Sequence, residues 1–265
     1  MKKEWAAGCA FAIGMGAASF SLAADGELGL GAGINYSAGK YGASAETKIL
    51  SIPFTARYDT DLWSLRLTLP YLRVTSPNNV IPGVGRFDTT GRRQRRRAAA
   101  AGTTTASGIG DLVASATYTA YYDDDAERGL DLTGRIKLPT ADADKGLGTG
   151  STDESVQVDV YQSFDKLTLF AGAGYTFYGH SDFVQLDNAL NYGIGASNKY
   201  NATDSIGASL DGRMRVTPGG APQRELSVFW SHRTEGATRL QAYVSVGLAK
   251  GSPDRGVGLS LTRTF

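Results

Sequence analysis

From Glu27 to the C-terminus, apolar and polar residues alternate with a period of two, run after run, with short polar breaks between them. Trp63, Leu65, Leu67, Leu69 and Tyr71 oppose Ser64, Arg66, Thr68 and Pro70. Leu112, Ala114, Ala116 and Tyr118 alternate with Val113, Ser115, Thr117 and Thr119. Leu130, Leu132, Gly134, Ile136 and Leu138 alternate with Asp131, Thr133, Arg135 and Lys137. A period of two is the mark of a strand with two unlike faces, because successive side chains leave a pleated backbone on opposite sides. The charged turn from Asp123 to Arg128 joins two of these runs into an antiparallel hairpin. One face of that hairpin is greasy and the other carries Asp131, Arg135 and Lys137. Such a sheet is either half-solvated or a wall between lipid and water.

Twelve such runs follow one another. Tight connections are predicted near residues 60, 125, 165, 200 and 235, and longer glycine- or proline-bearing ones fall between them. An even strand count with short turns at one end and longer loops at the other is the pattern of outer-membrane barrels. The aromatic residues closing the Trp63–Tyr71 row fit the girdles at a membrane interface. Pro53 and Pro70 lie on polar faces and remove ladder donors, so they are expected at bulges or at the rim. Residues 76–107 form the longest break, with Arg92, Arg93, Arg95, Arg96 and Arg97 within it. They are expected to form a long extracellular loop that stays solvated, meets lipid phosphates, or folds into the pore.

The N-terminus has the form of a secretory signal. Lys2 and Lys3 precede an apolar stretch from Trp5 to Leu22, and Ser21-Leu22-Ala23 offers a cleavage site, so residues 1–23 are assigned as signal peptide. Its removal takes Cys9, the one cysteine, and leaves 25 of the 27 basic and 25 of the 26 acidic residues. No disulfide can then brace the exported chain. No later run is apolar for long enough to form a membrane-spanning helix, a record that a barrel also leaves because alternation averages out. The fold expected for residues 24–265 is all-β, a transmembrane antiparallel up-and-down β-barrel of twelve strands in the bacterial outer membrane.

If the apolar faces meet lipid, the other faces line a lumen. Arg57, Arg66, Arg135, Lys137, Arg213, Arg215 and Arg233 then face Asp111, Asp131, Asp159, Asp211 and Glu225, a mildly cationic set. Tyr161, Phe229 and Tyr243 are available for stacking. Such charges select solutes by sign, and arginines favour carboxylate and phosphate groups. They serve equally as a salt-bridge network that stiffens the barrel. The function expected is passive passage of small solutes, aromatic or anionic, with a closed structural or adhesive barrel as the alternative. The Asp142–Glu154 run is rich in Asp and Gly, but its offsets do not fit a calcium loop, so no metal and no cofactor is expected. Ser231 and His232 are neighbours on a strand and point to opposite faces, which argues against an enzyme. The Arg cluster in an exported, charge-balanced chain does not indicate a nucleic-acid partner.

The runs SGIGDLVASATY (107–118), GRIKLPTADADKGLGTGSTD (134–153) and LFAGAGYTFYG (169–179), with a C-terminal Phe265, resemble bacterial outer-membrane proteins of the meta-pathway phenol-degradation family. The resemblance covers most of the chain beyond the signal. It implies a barrel with a channel or transporter role, without a particular substrate. Phe265 would be the insertion signal read by the outer-membrane assembly machinery, although Arg263 stands where such proteins usually carry an aromatic residue. Outer-membrane lipid, that machinery and a small-molecule solute are the partners implied.

Overall fold

The alternating rows become the two surfaces of a closed wall. The computed structural model describes residues 26–42, 45–76, 80–86, 103–234 and 237–265. Residues 1–23, expected to be a signal peptide, and the arginines at 92–97 lie outside them. The strands are β1 (Glu27–Gly39), β2 (Thr47–Asp59), β3 (Trp63–Ser76), β4 (Val80–Ile81), β5 (Gly85–Arg86), β6 (Thr104–Ile109), β7 (Leu112–Asp123) and β8 (Arg128–Leu138). They continue as β9 (Asp153–Phe164), β10 (Leu167–Phe177), β11 (Ala189–Lys199), β12 (Asp204–Arg213), β13 (Gln223–Arg233), β14 (Thr238–Gly247) and β15 (Arg255–Thr264). β4 and β5 form a separate small hairpin. The other 13 form one sheet in which each strand pairs antiparallel with its neighbour, and β1 pairs with both β2 and β15. β6 and β7 are two lengths of one wall strand, both paired with β3, so the barrel has twelve strands. Closure leaves no edge, which is the condition for strands to cross lipid.

Leu65, Leu67, Val156, Val158, Val160, Ile194, Val228, Val244, Leu259 and Leu261 are all exposed on the outer face. In water so many apolar side chains would be costly, whereas in a bilayer they meet hydrocarbon. Trp63 packs on Tyr118 with ring centres 4.9 Å apart, beside the 59–63 turn. At the same end, on the β12–β13 pair, Trp230 stacks on His232 and donates its indole N–H to Tyr200 and Asp204. An amphipathic ring with a satisfied polar edge is what the interface favours, so these two clusters mark one membrane boundary.

Of the positions expected for the prolines, bulge or rim, Pro70 takes the bulge: the β3 register shifts by one residue between β7 and β6. Pro53 and Pro70 are directly opposite one another in the β2–β3 pair, within the wall. Their missing donors fall on the outer sides of that pair. On one side the β1–β2 register skips from Ala32↔Phe54 to Asn35↔Ser51. On the other, β3 changes partner from β7 to β6 at the Gly110–Asp111 break, where the Gly110 N–H donates to the Pro70 carbonyl at 2.7 Å. Proline is tolerated inside this closed sheet because both ladders are interrupted beside it.

The end opposite the tight turns carries the longer loops, and two of them turn inward. Leu72 and Val74, on the inner face of β3, form an apolar cluster with Ala141 and Leu147 of the 139–152 loop. Within that loop Leu147 and Thr149 are each only 2% exposed. The β4–β5 hairpin, next after β3 in the chain, lies against the far wall. Ile81 and Val84, of the β4–β5 hairpin, pack with Val184, Ala189 and Val216 from the β10–β11 and β12–β13 connections.

The barrel interior as candidate functional site

Inward-facing side chains follow from the alternation, and their partners follow from the register. Three of the sequence-nominated residues are spent on structure. Lys137, at the top of β8, lies 2.8 Å from Asp153 and 3.1 Å from Asp111, and donates to the Thr149 hydroxyl at 2.6 Å. Asp111 also accepts the Ala141 N–H at 3.0 Å, and Asp153 that of Gly179 at 3.1 Å. Lys137 therefore fastens the inward-folded loop to the wall. Arg213, which ends β12, donates to the Gly83 and Val84 carbonyls and, at 3.1 Å, to the Tyr178 hydroxyl. It holds the β4–β5 hairpin. Arg57 pairs with Asp59 near the tight-turn end.

Arg215 is not in the wall. β12 ends at Arg213, and Arg215 is exposed in the connection that follows, while Val216 turns in to the apolar cluster. Alternation extrapolated past a strand end fails once the chain leaves the sheet. Arg233 closes β13 at the tight-turn end, in register with Arg239.

Arg66 and Arg135 face inward in one cross-strand row with Arg57: Arg57 opposes Arg66, Arg66 opposes Ser115, and Ser115 opposes Arg135. A second row runs on from β8. Asp131 opposes Asp159, Asp159 opposes Gly172, Gly172 opposes Gly193, Gly193 opposes Asp211, and Asp211 opposes Glu225. A Cβ on Gly172 would collide with the Asp159 carboxylate, and one on Gly193 would meet Asp211 Oδ1 at 2.7 Å. The two carboxylates thus lean over a floor of two glycines. Each is held by the residue two places earlier, Asp159 by the Gln157 amide at 2.7 Å and Asp211 by the Ser209 hydroxyl at 2.7 Å.

The inward aromatics share one construction. Tyr161 is paired with Gly129, Phe229 with Gly207 and Tyr243 with Gly258, and each ring occupies the space its glycine leaves. Phe170 lies over Gly195 in the same way. Sequence reasoning missed Phe170, although it stands on the inner side of the same alternation that put Leu169 and Ala171 outside. A ring folded over a cross-strand glycine lies along the wall and turns one face to the lumen. Tyr243 is fixed further by its hydroxyl, which donates to Asn35 Oδ1 at 3.2 Å across the β14–β15–β1 seam.

Ser231 faces inward with Phe229, whereas His232 is on the outer face, where its Nδ1 lies 2.9 Å from Asp204. The two therefore cannot act on one substrate. Among the described residues no group of His, Cys, Asp and Glu is arranged to hold a metal ion.

A closed wall with a lipid-facing apolar surface and a polar, glycine-floored interior defines an outer-membrane β-barrel. Residues 23–211 match the family described as "Putative MetA-pathway of phenol degradation", and the chain belongs to that family. No curated protein matches it. In fold it is similar to an outer membrane channel of Pseudomonas putida F1, at 17% identity over 92% of this chain and 97% of that one, with a TM-score of 0.69. It is also similar to the β-domain of the Bordetella autotransporter BrkA (10% identity, 91% and 100% covered, TM-score 0.54). A third likeness is to the KdgM porin (8% identity, 89% and 99% covered, TM-score 0.51). At these identities the likeness is one of fold.

Proposed function

We propose that the protein is a passive outer-membrane channel for small solutes, aromatic and anionic compounds among them. The observation that carries this reading is the inner face. Its charges are not all consumed by internal pairing, and its rings lie over cross-strand glycines along the wall. Arg66 and Arg135 would receive a carboxylate, and the faces of Tyr161, Phe170, Phe229 and Tyr243 would receive an aromatic ring. The similar barrel of Pseudomonas putida F1 is itself a channel, which agrees with passage. Export behind a signal peptide of residues 1–23 belongs to the same proposal. So does recognition of the last strand by the assembly machinery: Phe265 is 67% exposed on the outer face, with the Arg263 guanidinium 5.3 Å from its ring centre. The test is conductance of the folded, purified protein in planar bilayers. Discrete conducting steps are expected, and their absence from correctly folded protein would overturn the reading.

One observation favours the alternative of a closed structural or adhesive barrel: the 139–152 loop and the β4–β5 hairpin both turn into the mouth. Under that alternative, deleting residues 77–102 abolishes adhesion to a partner surface and leaves solute entry at the level of empty vesicles. Under the channel reading, the same deletion increases entry.

A further inference from the structure

The outer face of the wall changes character toward the end opposite the tight turns, and the register of β2, β3 and β6 shows how. Ile52 opposes Tyr71, and Tyr71 opposes Ile109. Two residues further along, Leu50 opposes Arg73, and Arg73 opposes Ser107. The next outward row is Lys48, Thr75 and Thr105. All stand on the side of the alternation that carries Leu65 and Leu67 to lipid. Leu50, Ile52, Tyr71, Arg73, Thr105 and Ser107 line a groove of about 280 Å³. Its floor is apolar toward the membrane centre, and its top carries a guanidinium and hydroxyls.

The height of this groove follows from β3 itself. Arg73 lies ten residues beyond Trp63 in that strand, and Trp63 marks the boundary at the tight turns. At about 3.3 Å per residue the separation is about 33 Å, and a tilt of about 40° leaves about 25 Å along the membrane normal. That is the height of the apolar band of such barrels, so Arg73 stands at the second boundary. Tyr175 and Phe177, edge to face with ring centres 5.0 Å apart, belong to the same girdle. Longer loops lie outside the cell, so this boundary belongs to the outer leaflet.

The charges there are incompletely matched. Glu46 serves both Lys48, at 3.4 Å, and Arg255, at 3.1 Å. Arg73 has no ion-pair partner among the described residues. The Thr75 and Thr105 hydroxyls bond to each other at 2.9 Å, which uses one of their two protons. A guanidinium fork with hydroxyl donors beside it suits a phosphate, and the apolar rows beneath suit acyl chains.

We propose that the β2–β3–β6 face binds lipopolysaccharide, with a phosphate of its acylated diglucosamine headgroup on Arg73 and Lys48 and its acyl chains on Leu50, Ile52 and Tyr71. The site is on the wall, and it stands whether or not the lumen conducts.

The folded, purified protein is offered lipid A, dephosphorylated lipid A and phosphatidylglycerol in equal amounts, and bound lipid is counted by native mass spectrometry. Lipid A is expected to be retained severalfold more than either of the others. Arg73→Gln should abolish that preference and Lys48→Gln should reduce it, while Arg128→Gln, an exposed arginine beside a tight turn, should leave it intact. Heat-modifiable migration reports folding, and if Arg73→Gln does not fold, Lys48→Gln and the dephosphorylated lipid carry the test. Equal retention of lipid A with and without phosphate, or a preference that survives in folded Arg73→Gln, overturns the site. Equal retention of phosphatidylglycerol overturns its assignment to lipopolysaccharide.

Discussion

Arg213, at the end of β12, donates its guanidinium hydrogens to the Gly83 and Val84 carbonyls, on a segment that leaves the barrel wall from β3. The contact joins two chain segments nearly 130 residues apart and sets a hairpin across the mouth. Replacing it tests how far that hairpin limits passage. Arg213→Ala removes charge-assisted bonds worth about 2 kcal/mol of anchoring. The expected outcome is a severalfold rise in single-channel conductance and new protease cleavage within residues 80–86. Arg213→Lys should fall between, because an ammonium group cannot span two carbonyls as a planar fork does.

Lys137 is expected to matter for stability more than for selectivity. Its side chain is 19% exposed, and its partners Asp111 and Asp153 are 11% and 8% exposed. Lys137→Met leaves two buried carboxylates without their cation, at a cost of about 3 kcal/mol. Urea unfolding in bilayers should show that loss. Adding Asp153→Asn should recover part of it, a non-additive result that a mere solute-contacting lysine would not give.

Tyr41, in the β1–β2 connection, predicts an alkaline effect. It is 6% exposed, and burial pushes its phenol up to about 12, helped by the nearby carboxylates of Glu225 and Asp254 and opposed by its contact with Ser37. A group that holds its proton more tightly when folded contributes stability below its unfolded value, near 10, and loses it as pH rises toward 12. Ultraviolet titration of tyrosinate should therefore lose one late-titrating tyrosine in Tyr41→Phe. The end of the barrel that carries Tyr41 should become more protease-sensitive between pH 10 and 12 in the unmodified protein alone.

Trp63 and Trp230 sit beside tight turns at the same end of the barrel, Trp63 on Tyr118 and Trp230 on His232. With the signal peptide and its Trp5 removed, these two carry all the indole fluorescence. Lipids brominated near the headgroup should quench both strongly, and lipids brominated near the chain ends should quench both weakly. A large difference between the two would mean that they do not share one interface.

The strands and their faces were legible in the sequence because period-two alternation records burial one residue at a time, as in Trp63–Tyr71. What was not legible depended on which residues stand side by side. Arg57, Arg66 and Arg135 are far apart along the chain, and only the register places them in one row. Counting charges gave a mildly cationic interior, and it could not show that Arg57, Lys137 and Arg213 are taken up by internal partners. Lys137 reads as a lumen charge in its own strand, and the groups that occupy it come from a loop and two other strands. The Pro53–Pro70 opposition likewise needs pairing information that neither strand carries. Arg215 failed for a simpler reason: alternation has no meaning past the last ladder bond. Phe170 could have been found, since its place in the alternation was in plain view.

The hairpin held by Arg213 also has a mechanical consequence. A ring of twelve strands hinged at its hydrogen bonds flattens readily into an ellipse when the bilayer presses on it unevenly. A segment rooted in β3 and fastened beside β12 acts as a tie-rod across the diameter, and it resists ovalisation along that axis only. Lateral pressure should then deform this barrel in one preferred direction, so that the cross-section at the mouth depends on membrane tension as well as on the residues that line it.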